Sequence, residues 1–364
     1  MTGPGVEIHQ IVVSAAPGDA ATEAAFGLRD VLRRVGPSEV FAHSIDESLA
    51  GEVGTLADYA ARPGTAGGRN VLVYHASIGE PAVCSFLLER PEKLVLVYHN
   101  ITPAEYFLDV DPAFAALLAD GRVELAALRP RVSLALATSD YNAADLRALG
   151  YDDVRLSPLP VDTARLRALP SDPATVAHID EHLKGPLVLF VGRILPHKRP
   201  DLLLSAYHVL VTYLVPDAYL ALVGPCPQPG YRQVLESYRL QLNLHRAWLP
   251  GRVSPEALAT WYRAAAVFVT VSEHEGVGAP MLEAMAFDVP VVARAFAAIP
   301  ETLAGAGLLL PPDGDPVLVA EALAEVLGSD RTRRELVNAG RRRHATVEPE
   351  RARAGFLAHL ADAV

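Results

Sequence analysis

Short apolar runs bounded by turn residues recur along the chain, and most are followed by a longer segment whose apolar residues return every three or four positions. The first run, Ile8 to Val13, passes through Pro17-Gly18-Asp19-Ala20 into a helical pattern with Ala25, Leu28, Val31, Leu32 and Val35 on one face. Strands are predicted next at Val40-Phe41-Ala42, Asn70 to His75, Leu94 to His99 and Val132 to Thr138. Helices are predicted near Pro81 to Leu88, from Pro103 to Leu118, and from Tyr141 to Leu149, the last with Ser139 as N-cap and Gly150 closing it. Such alternation implies a parallel sheet joined by right-handed crossovers.

After Val154-Arg155-Leu156-Ser157 the chain enters Pro158-Leu159-Pro160-Val161-Asp162 and stays rich in proline and polar residues up to Pro186, as a linker between domains does. The pattern then restarts, with strands at Leu187 to Val191, Ala218 to Val223, Ala266 to Val271 and Val289 to Ala293. Helices are predicted around Leu202 to Leu210 and Tyr231 to Leu242, and Ser254 caps another whose first residue is Pro255. The expected class is α/β, two Rossmann-like domains with parallel sheets facing a central cleft. Residues 1–172 form the first domain and 173–347 the second, with a helix at 348–364 as a candidate to complete the first. No solenoid-period repeat and no low-complexity segment interrupts this scheme.

A length of 364 residues supports two cores, and a composition 51% apolar and 21% charged is that of a folded soluble protein. The net charge of −11 leaves no electrostatic footprint for nucleic acid; the basic run Arg341-Arg342-Arg343 is short. Two cysteines, Cys84 and Cys226, make neither a disulfide framework nor a metal-ligand spacing. Met1 to Gly5 lacks the basic and apolar regions of a signal peptide, and no apolar run reaches the ~20 residues that span a bilayer. A cytoplasmic protein is expected. Arg122, Arg129 and Arg131 are a candidate patch for peripheral contact with the inner membrane face, against a merely solvated surface.

Candidate chemistry gathers where predicted strands end. Glu275-Gly276-Val277-Gly278-Ala279-Pro280-Met281-Leu282-Glu283 follows a strand, and its glycines and proline forbid one continuous helix, so Glu275 belongs to a turn and Glu283 to the first turns of a helix. That helix start offers unpaired N–H groups and the positive end of a dipole, a seat for a diphosphate. A glutamate there is favourable by roughly 0.3–1 kcal/mol without any function, so Glu283 admits a purely structural reading. Glu275 stands at the carboxyl end of a strand, where open α/β sheets place ligands. Arg193 and Lys198 flank the turn after Leu187 to Val191, either as a solvated loop or as two cations for a diphosphate. Two strands end in the same pair, Tyr74-His75 and Tyr98-His99, placing two histidines at the sheet edge as satisfied polar groups or as site residues. The Gly18 loop is an ordinary turn or a point of backbone approach to a ligand.

These stretches, in this order, resemble the retaining GT-B glycosyltransferases of the E-x7-E family, glycosyltransferase family 4, also described as glycosyl transferases group 1. The resemblance rests on Glu275 to Glu283, on Val191-Gly192-Arg193 with Lys198, on Pro158 to Asp162, on Gly251-Arg252-Val253 and on Pro17 to Ala20, with Tyr98 to Pro103 similar to a bacterial subgroup. It implies a nucleotide sugar, UDP- or GDP-linked, held by the second domain, and an acceptor (a glycan, a lipid-linked sugar or a small molecule) held by the first. Arg193 and Lys198 would hold the diphosphate, aided by backbone from Gly276, Val277 and Gly278 to Met281 and Leu282. Glu283 would meet the ribose, the backbone near Val253 the base, and Glu275 the transferred sugar. His99 would reach sugar or phosphate, with Gly18, Asp19, His75 and Asn100 on the acceptor side. No cofactor and no metal is implied. Transfer with retention by departure and attack on one face is favoured over a double displacement through Glu275. Val277, Ala279 and Leu159, and the lack of a second glycine after Gly18, depart from the commoner pattern and bear on sugar and acceptor identity. The alternatives are a GT-B nucleotide-sugar epimerase or phosphorylase, and a catalytically silent nucleotide-sugar-binding protein.

Overall fold

The computed structural model describes residues 6–62 and 70–363, so Met1 to Gly5, on which the expectation about a leader rested, lies outside the described residues. The chain divides into two units, Met1–Pro160 with Glu348–Val364, and Val161–Val347.

The first unit is built on a seven-stranded parallel sheet. Its strands are β1 (Ile8–Ala15), β2 (Val40–Ile45), β3 (Gly54–Thr55), β4 (Val71–Ala76), β5 (Lys93–Tyr98), β6 (Val132–Ala137) and β7 (Val154–Leu156), in the order β3-β2-β1-β4-β5-β6-β7. Every residue of β4 is buried, as expected of a strand covered by helices on both faces. The helix Ala20–Leu32 starts where Asp19 caps the N–H of Thr22. The helix expected from Pro103 is split: a 3-10 turn at Ala104–Phe107 stops, and Asp111 and Pro112 open a new helix, Pro112–Leu128. Pro112 has no N–H to continue a preceding helix, while Asp111 caps the one that follows. The C-terminal helix Pro349–Ala363 lies in this unit, with Phe356 and Leu360 packed among Ile8, Val71 and Leu134.

The second unit holds β8 (Leu187–Val191), β9 (Tyr219–Val223), β10 (Ala247–Gly251), β11 (Ala265–Thr270), β12 (Val291–Arg294) and β13 (Leu308–Leu310), all parallel in the order β10-β9-β8-β11-β12-β13. The stretch expected as a linker is two helices, Thr163–Ala168 capped by Asp162 and Pro173–His182 capped by Asp172. Val161, Leu166, Ile179 and Leu183 pack on the core of this unit, so the division falls at Pro160 and not at residue 172.

Strand order reverses twice, between β1 and β4 and between β8 and β11. Open parallel sheets bind ligands outside the carboxyl ends of the strands at such points.

Candidate active site

At the second reversal, β8 leaves through Gly192 and β9 through Gly224, with φ of 152° and 144°. A Cβ on Gly224 would lie 2.0 Å from the Gly192 carbonyl oxygen, so glycine is what lets these two loops cross. The chain then turns through Pro196–Lys198 into Arg199, a left-handed residue with φ of 50°, and Pro200 opens the next helix. The loop after β11 is tied to this turn by a bond from Glu273 N–H to the His197 carbonyl at 2.8 Å. Lys198 Nζ thereby comes within 2.6 Å of Glu275 Oε1, each side chain 15% exposed. Arg193, on the same turn, is exposed.

Two further cations hold this arrangement. Arg199 reaches Glu273 with one nitrogen and Asp201 at 2.9 Å with another, and Arg294, buried, lies 3.6 Å from the same Glu273 carboxylate. The hydrogen bond to Asp201 holds Arg199 above its usual value, while burial draws Arg294 below its own. Burial, with Lys198, His274 and Arg193 nearby, keeps the His197 ring far below the usual histidine range and neutral.

The helix Ala279–Ala286 begins at Gly278, left-handed at φ 78°, and no side chain caps it. In its first turn Pro280 has no N–H and the Met281 N–H donates to the Gly278 carbonyl at 3.0 Å, so what this helix start brings beside the Glu275 loop is chiefly the positive end of its dipole. Met281 and Leu282 are buried in the core, so from Gly276 to Leu282 this segment offers a ligand backbone more than side chain. The Val277 carbonyl accepts from Thr302, and the Glu275 carbonyl from Ala298 N–H at 3.1 Å. Glu283 accepts from the Tyr262 hydroxyl at 2.7 Å; burial raises its carboxyl and that bond opposes the rise. Val253 follows the left-handed Gly251, whose carbonyl receives Gly224 N–H at 3.0 Å.

In the first unit two of the residues expected on the acceptor side, His75 and Asn100, are interior. Gly18 is left-handed at φ 73°, and Asp19 accepts from Thr22 N–H at 3.1 Å. His75 is fully buried: Nδ1 lies 2.8 Å from His99 Nε2 and Nε2 lies 3.0 Å from Gln10 Oε1, so it supports His99 and presents no surface of its own. Asn100 is also buried, its amide donating to Asn142 at 2.7 Å. His75 is the penultimate residue of β4, which lies between β1 and β5, and its ring is held between the side chains of Gln10 and His99. Each of the three arginines of the candidate patch has a partner within the protein, with Arg129 exposed and the other two half-buried. Arg122 pairs with Asp145 at 2.7 Å, Arg129 donates to the Gly150 carbonyl and Arg131 to that of Arg90. Among the described residues no helix is long and apolar enough to cross a membrane, and no group of three His, Cys, Asp or Glu is placed to hold a metal.

Residues 175–343 match the family described as glycosyl transferases group 1. The second unit belongs to this family. Among relatives, a D-inositol 3-phosphate glycosyltransferase of Geodermatophilus obscurus is 38% identical over 169 residues, 44% of this chain and 36% of that protein. An O-antigen chain mannosyltransferase B of Escherichia coli is 32% identical over 156 residues, 42% of this chain and 39% of its own length. The matched stretch thus spans well under half of these relatives. The fold extends over the whole chain and is GT-B. Sucrose-phosphate synthase from Thermosynechococcus elongatus superposes over 98% of each chain with a TM-score of 0.76 at 21% identity. Anabaena HepE, solved in complex with UDP, covers 98% of this chain and 100% of its own with a TM-score of 0.75 at 17% identity.

The group 1 unit contains residues that the sequence did not mark. Glu273 and Arg199 lock the Lys198 turn to the Glu275 loop, and Tyr262 engages Glu283. An arginine directly after Lys198 and an acid two before Glu275 were the available signal.

Proposed function

We propose that the chain is a retaining glycosyltransferase that moves a sugar from a nucleoside-diphosphate sugar, UDP- or GDP-linked, to an acceptor hydroxyl without a metal. The observation that carries this reading is the Lys198–Glu275 pair, 2.6 Å apart at a topological switch point beside the uncapped start of the Ala279–Ala286 helix, within a group 1 unit. A solved structural neighbour that binds UDP supports a nucleotide donor. Arg193, Lys198 and the positive end of the helix dipole receive the diphosphate, and Glu275 takes the sugar's hydroxyls and faces positive charge developing at the anomeric carbon. Glu283 reaches the ribose while Tyr262 holds it.

In the step itself the bond from the anomeric carbon to the diphosphate oxygen breaks, its electron pair leaving with the phosphate. The acceptor oxygen bonds to the same face, and its proton passes to the departing phosphate oxygen. Positioning and electrostatics are what the protein supplies. The two cations offset the leaving charge, so a chelator is expected to leave turnover unchanged.

Incubation with UDP- and GDP-sugars, with and without candidate acceptors, is expected to release nucleoside diphosphate in the presence of acceptor and to give a product of unchanged anomeric configuration by proton NMR. An epimerised nucleotide sugar, or no release with any pairing, contradicts the reading.

A further inference from the structure

The loop after β11 turns through Glu275-Gly276-Val277-Gly278, and two of its peptide planes, Glu275–Gly276 and Val277–Gly278, run into a glycine. Glycine has no Cβ to oppose rotation of the plane before it, so local sterics leave the direction of these two carbonyls open. One element fixes both. At the helix Ile299–Leu303 the N–H of Ala298 donates to the Glu275 carbonyl at 3.1 Å, and the hydroxyl of Thr302, a residue 4% exposed, donates to the Val277 carbonyl. In a trans peptide the carbonyl and the following N–H point opposite ways. Turning the Val277 carbonyl toward this helix therefore turns the Gly278 N–H away from it, and no described residue accepts that N–H. A Cβ built on Gly278 would lie 3.8 Å from Glu275 Cγ, so this peptide sits beside the glutamate side chain.

A helix of five residues is too short to hold itself in place. Its later carbonyls lack intrahelical donors, and Arg343, in the helix Asp330–His344, supplies them. Nε donates to the Thr302 carbonyl at 2.9 Å and Nη2 to that of Glu301 at 3.3 Å, a cation at the negative end of the helix dipole. Arg341, two residues earlier, grips Asp288 through bonds of 2.7 and 2.8 Å, just past the end of Ala279–Ala286. One helix end thus holds the elements on both sides of the glycine turn.

We propose that Thr302 and Arg343 are positioning residues for the donor. Arg343 seats the short helix, and Thr302 sets the Val277–Gly278 peptide so that the Gly278 N–H meets an anionic oxygen of the nucleoside diphosphate. The orientation of the peptide follows from this unit alone; the ligand it serves rests on the transferase reading. The Ala298 bond from the same helix anchors the backbone from which Glu275 reaches Lys198.

Labelling of valine carbonyl carbon and glycine nitrogen, with the Val277–Gly278 peptide assigned through Val277→Ile, reads the hydrogen bond at that carbonyl by NMR. In Thr302→Val, which keeps the side chain's shape without its hydroxyl, the Val277 carbonyl carbon is expected to move upfield as it loses its donor. An unmoved resonance overturns the contact. The same variant is expected to bind UDP or GDP, whichever the wild type takes, about tenfold more weakly by calorimetry, the size of one hydrogen bond. Thr302→Ser, which keeps the hydroxyl and loses the methyl, should stay within about twofold of wild type. A residue that merely packs the core reverses that order, and the reversal overturns the positioning role. Arg343→Gln is expected to weaken binding about fivefold, and its combination with Thr302→Val to be no weaker than Thr302→Val alone, because both act through one helix. Additive losses overturn the path through Arg343. A wild type that binds no nucleoside diphosphate overturns the transferase reading, and the carbonyl resonance still decides the orientation of the peptide.

Discussion

The two units each place polar chemistry where the strand order reverses, yet they build the two points in opposite ways. Between β8 and β11 the groups are charged and reach solvent: Lys198 and Glu275, 15% exposed each, held by Glu273 and its two arginines. Between β1 and β4 they are neutral and interior: Gln10 and His75 with no exposed surface, bonded on to His99. Charge that can move toward a ligand suits binding of an anion, whereas a buried neutral chain gains its specificity from fixed donors and acceptors. The first arrangement tolerates water and gives up strength to it. The second excludes water and is therefore sensitive to any added proton.

The sharpest break of this comparison is Lys198→Ala. It removes the cation paired with Glu275 and a cation from the diphosphate seat, and the expected loss in turnover is about a thousandfold, the size seen when one preorganised stabilising group is deleted. Weaker nucleoside diphosphate binding by calorimetry should accompany it. Wild-type donor affinity in this variant would sink the assignment. The first unit should be little affected, so thermal unfolding of the variant should retain its acid response.

That acid response is the next largest effect. Burial lowers the His99 pKa to about 4 from 6.5, and it holds His75 well below the usual histidine range too. The unfolded chain binds protons that the folded one refuses, so stability is intact above about pH 6.5 and falls as the pH drops toward 4. For His99 alone the loss across that window is on the order of 3 kcal/mol. Urea unfolding at pH 7 and pH 4.5 measures it, and His99→Gln should flatten the slope. An unchanged slope in that variant would mean that other groups carry the acid sensitivity.

How much of this was legible in sequence depends on whether the signal was local. The Pro81–Leu88 helix and the Leu187–Val191 strand have the bounds their apolar spacing and turn residues predict. Lys198 and Glu275 were each marked by their turns, but their meeting depends on β8 lying beside β11, a pairing between distant segments that no local pattern encodes. Thr163–Ala168 and Pro173–His182 were hidden because each is short and buries only scattered residues such as Leu166 and Ile179. Their caps, Asp162 and Asp172 with Pro173, were readable start signals that the surrounding prolines masked. His75 looked like an edge residue, because burial by neighbouring strands is a tertiary property.

Tyr262 and Glu283 sharpen the comparison at a smaller scale, since here the charged unit borrows the logic of the buried one. Tyr262→Phe leaves Glu283 without its 2.7 Å donor in a setting that already raises its carboxyl, and about 1–3 kcal/mol of stability should be lost. Glu283→Ala removes the half-buried acceptor itself and is expected mainly to weaken nucleotide binding. If calorimetry finds nucleotide affinity unchanged in Glu283→Ala, the glutamate serves only the helix and its tyrosine.

The smallest expected effect separates backbone from side chain at Arg199. Its φ of 50° is unfavourable for any residue with a Cβ, by roughly 1–2 kcal/mol, and its guanidinium compensates through Asp201 and Glu273. Arg199→Ala keeps the strain and loses both partners; Arg199→Gly loses the partners and relieves the strain. Glycine should therefore be the more stable of the two by about 1 kcal/mol in urea unfolding, while both variants lose turnover alike because Glu273 no longer holds the Glu275 loop to the Lys198 turn. Equal stability would show that the left-handed turn is set by Pro200 and the loop crossing rather than endured for the sake of the ion pair. Full turnover in the glycine variant would show that the backbone bond from Glu273 to His197 is sufficient to register the charged pair.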